Sequence, residues 1–222
     1  MDIKAISDSL VANEINLSRG NSASVRVEAL AAAGRIAYQM AIVSYDSEFA
    51  DTMAGLVAKL YSEAQGDVAS CESAANAIAS DDPAKLEWMT NLEAARRARD
   101  EIKNSKEMLE RHAADLKVKD GVAEAQKYSV AIQGLIEQMK IANADRCEGL
   151  LTSIETMQEM VRSIYRDSLA ISNTYSEDTV IAANVGALKV IKDGIDSENG
   201  LVNTAKYNYY YRLGHETNNE GL

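Results

Sequence analysis

A single proline, Pro83, stands in a chain of 222 residues, between long stretches whose apolar residues recur every three or four positions. Proline stops helices more firmly than any other residue, and the place a helix tolerates it best is its first turn. A chain with only Ser80-Asp81-Asp82-Pro83 as strong punctuation therefore predicts a few very long helices. One of them begins at Pro83 with Asp82 as its N-cap. The only strand-favouring cluster, Tyr207-Asn208-Tyr209-Tyr210-Tyr211, has no partner segment of similar character, so the fold class expected is all-α.

The kind of hydrophobe narrows the architecture. Hydrophobic residues make up 46 % of the chain but aromatics only 5 %, with one Phe (Phe49) and one Trp (Trp88). The core must be built from Ala, Val, Leu, Ile and Met, which suit closely approaching helices in a narrow bundle.

Periodicity and turn residues predict helices over about 3–17, 22–79, 83–116, 121–172, 177–193 and 198–213, followed by a frayed polar tail over 214–222. Gly66 is the expected place for a bend in the second helix. In the third, Trp88, Asn91, Ala95, Ala98, Ile102, Ser105, Leu109, His112 and Leu116 step by three and four. In the fourth, Val122, Ala125, Ser129, Ile132, Ile136, Met139, Asn143, Arg146, Leu150, Ile154, Met157, Val161 and Ile164 do the same. Such seams specify left-handed packing of long neighbours. With Lys117-Val118-Lys119-Asp120-Gly121 read as a short connection, the expectation is one elongated helical domain dominated by a long antiparallel, coiled-coil-like hairpin. His112, Asn143 and Arg146 then fall as polar residues in its seam, although a rotation of the fourth helix would turn Leu135 and Cys147 inward instead.

Several function classes lose support at once. A formal net charge of −11 disfavours binding to a nucleic-acid backbone or an anionic membrane, because like charges repel at long range. No run of about 18 apolar residues suggests a membrane span. Met1-Asp2-Ile3-Lys4 opens no basic-then-apolar signal, which favours a cytoplasmic protein or one exported without a cleaved signal. Cys71 and Cys147 match no metal or redox spacing and are expected as reduced, half-buried thiols. Helical di-iron sites need Glu-x-x-His pairs, yet Leu109 precedes His112 and Arg212 precedes His215 by three. Phosphate-binding and nucleophile-elbow motifs are absent from the sequence. No catalytic residue, cofactor or metal ligand is therefore assigned.

Two features could carry contacts with a partner. The run Arg96-Arg97-Ala98-Arg99 is basic in an acidic protein, although Arg96 with Asp100, Arg97 with Glu101, Lys103 with Glu107 and Lys106 with Glu110 stand at i,i+4 and can neutralise one another. Tyr207, Tyr210 and Tyr211 share one side of the last helix, and tyrosine gives rigid contact area with a polar tip. Interface candidates are thus Tyr207, Tyr210, Tyr211, Arg96, Arg97 and Arg99.

The acidic, Pro-poor and Cys-poor composition resembles in style the helical substrates and filament subunits of specialised bacterial secretion systems, without a W-x-G turn or any motif matched residue by residue. The expected function is non-enzymatic: a helical structural or interaction protein that self-associates or binds a protein partner. A bacterial assembly subunit or a signal-less secretion substrate would be its context. The rival expectation is a bundle enzyme or small-ligand binder in which Glu14, Asp46, Glu48 or Asp51 converges with a His or Cys.

Overall fold

A computed structural model describes Ala12, which is helical, and residues 22–219. The expected first helix, 3–17, lies outside the described residues except at Ala12, as does the end of the tail over 220–222. Six helices follow: α1 (Ala23–Ile42), α2 (Ser47–Ala77), α3 (Ala84–Met139), α4 (Ala144–Thr174), α5 (Thr179–Asp196) and α6 (Leu201–Asn219). The protein is all-α, with no strand among the described residues. Its Cα positions group into two compact units, Met1–Leu116 and Lys117–Leu222, with the division falling inside α3.

In the first unit, α1, α2 and the N-terminal part of α3 enclose one apolar core. On α2 the core positions Phe49, Met53, Val57, Leu60, Ala64, Val68, Cys71 and Ala75 step by three and four, and they meet Val27, Leu30, Ala37 and Ala41 of α1. Leu92, Ala95, Ala98, Ile102 and Leu109 of α3 close the bundle. So many alanines at the contact let the helix axes lie close. Of the predicted α3 seam, Ala95, Ala98, Ile102, Leu109 and Leu116 are buried. Trp88 is not, being 38 % exposed, and Leu92 takes the inward position near it.

The expected second helix is two helices. The chain breaks at Val43–Asp46, where the Asp46 carboxylate accepts the N–H groups of Glu48 and Phe49, both at 3.0 Å, and caps α2. Two orphan donors at a helix start outweigh the continuing apolar pattern. Gly66, by contrast, sits within unbroken helix. Before α3, Asp82 Oδ1 accepts the Ala84 N–H at 2.8 Å. Lys85 Nζ reaches back to the Ala75 and Ile78 carbonyls at the end of α2.

The expected break over Lys117–Gly121 does not occur, so the predicted pair of helices at 83–116 and 121–172 is not the pair that forms. Instead α3 continues for 56 residues, and the chain turns at 140–143. Four of the five residues from Lys117 to Gly121 are ordinary helix residues, and one interior glycine costs only about 1 kcal/mol. Gly121 marks a close approach: a Cβ there would stand 2.9 Å from Ile164 Cγ2 and 3.4 Å from Ser168 Oγ of α4. The true turn is made by Asn143, whose side chain accepts the Arg146 N–H at 3.1 Å and caps α4.

In the second unit, Ala125, Ile132, Ile136 and Met139 of α3 share a core with Cys147, Ile154 and Val161 of α4, Leu188 and Ile195 of α5, and Val202 and Ala205 of α6. Asp178 caps α5 by accepting the N–H groups of Val180 (2.9 Å) and Ile181 (3.1 Å). Gly200 separates α5 from α6, and its Cα lies so near the Ile195 and Ser197 carbonyls that a Cβ would stand 2.6 and 2.8 Å from their oxygens. The segment expected to fray from residue 214 is helical as far as Asn219.

Candidate functional site: the tyrosine face and C-terminal end of α6

Helix α6 presents two contrasting sides. Val202 and Ala205 are buried in the core of the second unit, and half-buried Tyr209 packs against it. Tyr207, Tyr210 and Tyr211 are 69, 63 and 50 % exposed. The i,i+4 spacing of a helix puts Tyr207 and Tyr211 in register. Their rings stack with centroids 6.2 Å apart and planes at 25°, and Tyr211 meets the His215 imidazole at 4.3 Å. Tyr209 and Tyr210, adjacent in sequence, approach at 5.2 Å with planes tilted by 53°. Burial, with Glu148, Tyr210 and Asp145 nearby, raises the Tyr209 phenol above its ordinary value.

The same helix grips the α3–α4 turn. Arg212 donates to the Lys140 carbonyl, and the Glu216 carboxylate accepts the Ala144 N–H through both oxygens, at 3.0 and 3.1 Å. A carboxylate at the first turn of α4 meets both an unpaired amide and the positive end of the helix dipole. Beneath it, Cys147 is fully buried with Sγ 3.5 Å from the Met139 carbonyl. Burial pushes this thiol above its usual range; Arg212 opposes that rise and Glu216 adds to it. Sequence reasoning missed this clamp, because nothing local ties Glu216 to a residue 72 positions away.

A second cluster was also missed. Asp196, at the end of α5, accepts hydrogen bonds from Gln158 Nε2 (2.7 Å) and Arg162 Nε (3.0 Å) of α4 and lies 3.3 Å from Lys192 Nζ. Burial works to raise its carboxyl, yet the bonds from Arg162, Gln158 and Lys192 together hold it below the ordinary value. Lys192 Nζ also lies 5.7 Å from the Tyr165 ring centre, at cation–π distance.

Of the remaining predicted residues, Arg96, Arg97, Arg99 and His112 belong to the first unit and Asn143 and Arg146 to the second. Arg96 pairs with Glu72 of α2 at 2.8 Å and with Glu93 at 3.2 Å, rather than with Asp100, which takes Arg99 at 2.7 Å. Glu101 pairs with Arg35 of α1, leaving Arg97 as an exposed side chain on α3. The Lys103–Glu107 and Lys106–Glu110 pairs form as spaced, at 3.8 and 2.9 Å. His112 is half-buried, with Nε2 3.4 Å from the Ser44 carbonyl in the α1–α2 turn. Asn143 and Arg146 are not seam residues: both are exposed, and the inward residue of that turn is Cys147.

Asp46 is a helix cap, and Glu14 lies outside the described residues. Cys71 and Cys147 are free buried thiols, and Cys71 is raised by burial and by neighbouring Asp67. Asp67 Oδ2 lies 3.2 Å from Arg26, within ion-pair distance but without hydrogen-bond geometry. Among the described residues no three His, Cys, Asp or Glu side chains are placed to hold a metal ion. No described helix is long and apolar enough to cross a membrane. A shallow depression along α3, lined by Asp120, Ala123, Glu124, Lys127 and Tyr128, draws on one helix alone.

These observations define an all-α protein whose last helix carries three exposed tyrosines on one face. Comparison with protein families, with curated proteins and with solved structures finds no match.

Proposed function

We propose that this is a non-enzymatic structural or interaction protein that works through self-association or the binding of a protein partner, with the tyrosine face of α6 as the contact surface. The observation that supports this reading is the exposure of Tyr207, Tyr210 and Tyr211 on a helix whose opposite side is already committed to the core. Exposed aromatic rings in register give up water readily and lose little side-chain freedom when covered, which is why such residues dominate interface energetics.

The test is light scattering coupled to small-angle X-ray scattering on the chain and on the triple variant Tyr207→Ser, Tyr210→Ser, Tyr211→Ser. Assembly that weakens by about tenfold or more in the variant, with helicity by circular dichroism unchanged, supports the reading. A chain that is monomeric at all concentrations and retains no protein partner through these rings overturns it.

A further inference from the structure

We infer that the C-terminal end of α6 is a latch on the α3–α4 turn, opening and closing without unfolding the rest of the second unit. This inference does not depend on the proposed assembly role.

The inward line of α6 changes character midway. Val202, Ala205 and half-buried Tyr209 hold the first turns by apolar burial. From Tyr210 to Glu216 every side chain is exposed or half-exposed, and Arg212 bonds to the Lys140 carbonyl and Glu216 to the Ala144 N–H of the α3–α4 turn. At the changeover, Asn208 Nδ2 is buried without a hydrogen-bond partner, which weakens the root of the segment. Gly214 lies inside the helix with nothing near its Cα that requires a glycine, and it lowers helix propensity there. A segment with little buried apolar area and exposed hydrogen bonds opens ahead of the core it rests on.

Closed, the latch covers the first turn of α4 and the thiol beneath it. Ala142, Ala144 and Cys147 are all buried there, and Arg212 and Glu216 both lie close enough to Cys147 to act on its charge. Opening frees the Ala144 amide, one of the unpaired donors at a helix start, and admits solvent to Cys147.

Labelling of the full chain with N-ethylmaleimide, resolved by peptide mass spectrometry, follows Cys147 and Cys71 separately in rising urea. The expected result in the natural chain is Cys147 labelling that depends weakly on urea at low concentration, because a local opening exposes little surface. Glu216→Gln should accelerate Cys147 labelling about tenfold with the same shallow urea dependence, while Cys71 labelling is unchanged. Arg212→Met serves as the second variant and should behave alike. Unchanged Cys147 labelling in both variants overturns the latch, and so does acceleration with the steep urea dependence of whole-unit unfolding.

Discussion

Gly121 of α3 lies directly against Ile164 of α4, so close that a single added Cβ would stand 2.9 Å from Ile164 Cγ2. Cγ2 is carried on the branched Cβ of Ile164, whose rotamer within a helix is nearly fixed, and it cannot swing aside freely. The glycine thus sets how near the two helices come in a unit whose core has no Phe or Trp to hold them apart.

Gly121→Ala should therefore destabilise the protein by about 1 kcal/mol, since overpacking of about 1–3 kcal/mol is only partly offset by the better helix propensity of alanine. Gly134→Ala, on the same helix with nothing within 4 Å of its Cβ position, should instead stabilise by about 0.5–1 kcal/mol. Urea denaturation followed by circular dichroism compares the two. A stabilising Gly121→Ala would show that the helices move apart at little cost.

The breaks in the helical pattern rest on capping carboxylates. Asp46→Ala should cost about 1 kcal/mol by leaving the Glu48 and Phe49 amides unpaired, and Asp178→Ala at least as much because Asp178 is buried. Trp88, the one tryptophan, reports on the first unit by its fluorescence. The Asp46→Ala variant should lower the urea midpoint of that signal. An unmoved midpoint would show that the α1–α2 turn holds without its cap.

Asp196 should give the second unit a pH dependence whose sign follows from the partners that lower its carboxyl. Its folded carboxyl lies below the unfolded value of about 3.9, so the folded state binds fewer protons than the unfolded one in that range. The stability it contributes is complete above the unfolded value and is lost as pH falls through the folded one. Asp196→Asn should cost about 1–2 kcal/mol at pH 7, given partners that are partly exposed, and the penalty should shrink towards pH 3. Denaturation midpoints of both chains between pH 7 and pH 2.5 test this. A penalty independent of pH would assign the effect to packing rather than charge.

The sequence by itself determined the fold class and much of the buried face. Ala95, Ala98, Ile102, Leu109, Ile132, Ile136, Met139, Ile154 and Val161 repeat at helical spacing, and a helix must bury such a stripe whatever its neighbours. It also marked the cap Asp82, whose bond joins residues two apart, whereas the helix expected from 177 starts at Thr179 with Asp178 as its cap. Tertiary structure decided where the helices end. Lys117–Gly121 stays helical because four of its five residues suit a helix and its glycine meets α4 closely, whereas the run at Lys140–Asn143 turns where Asn143 caps α4 and Glu216 and Arg212 bond to the same turn from the far end of the chain. Local bonds and periodic burial are written in neighbouring residues. A contact between residues 72 apart exists only once the helices have packed.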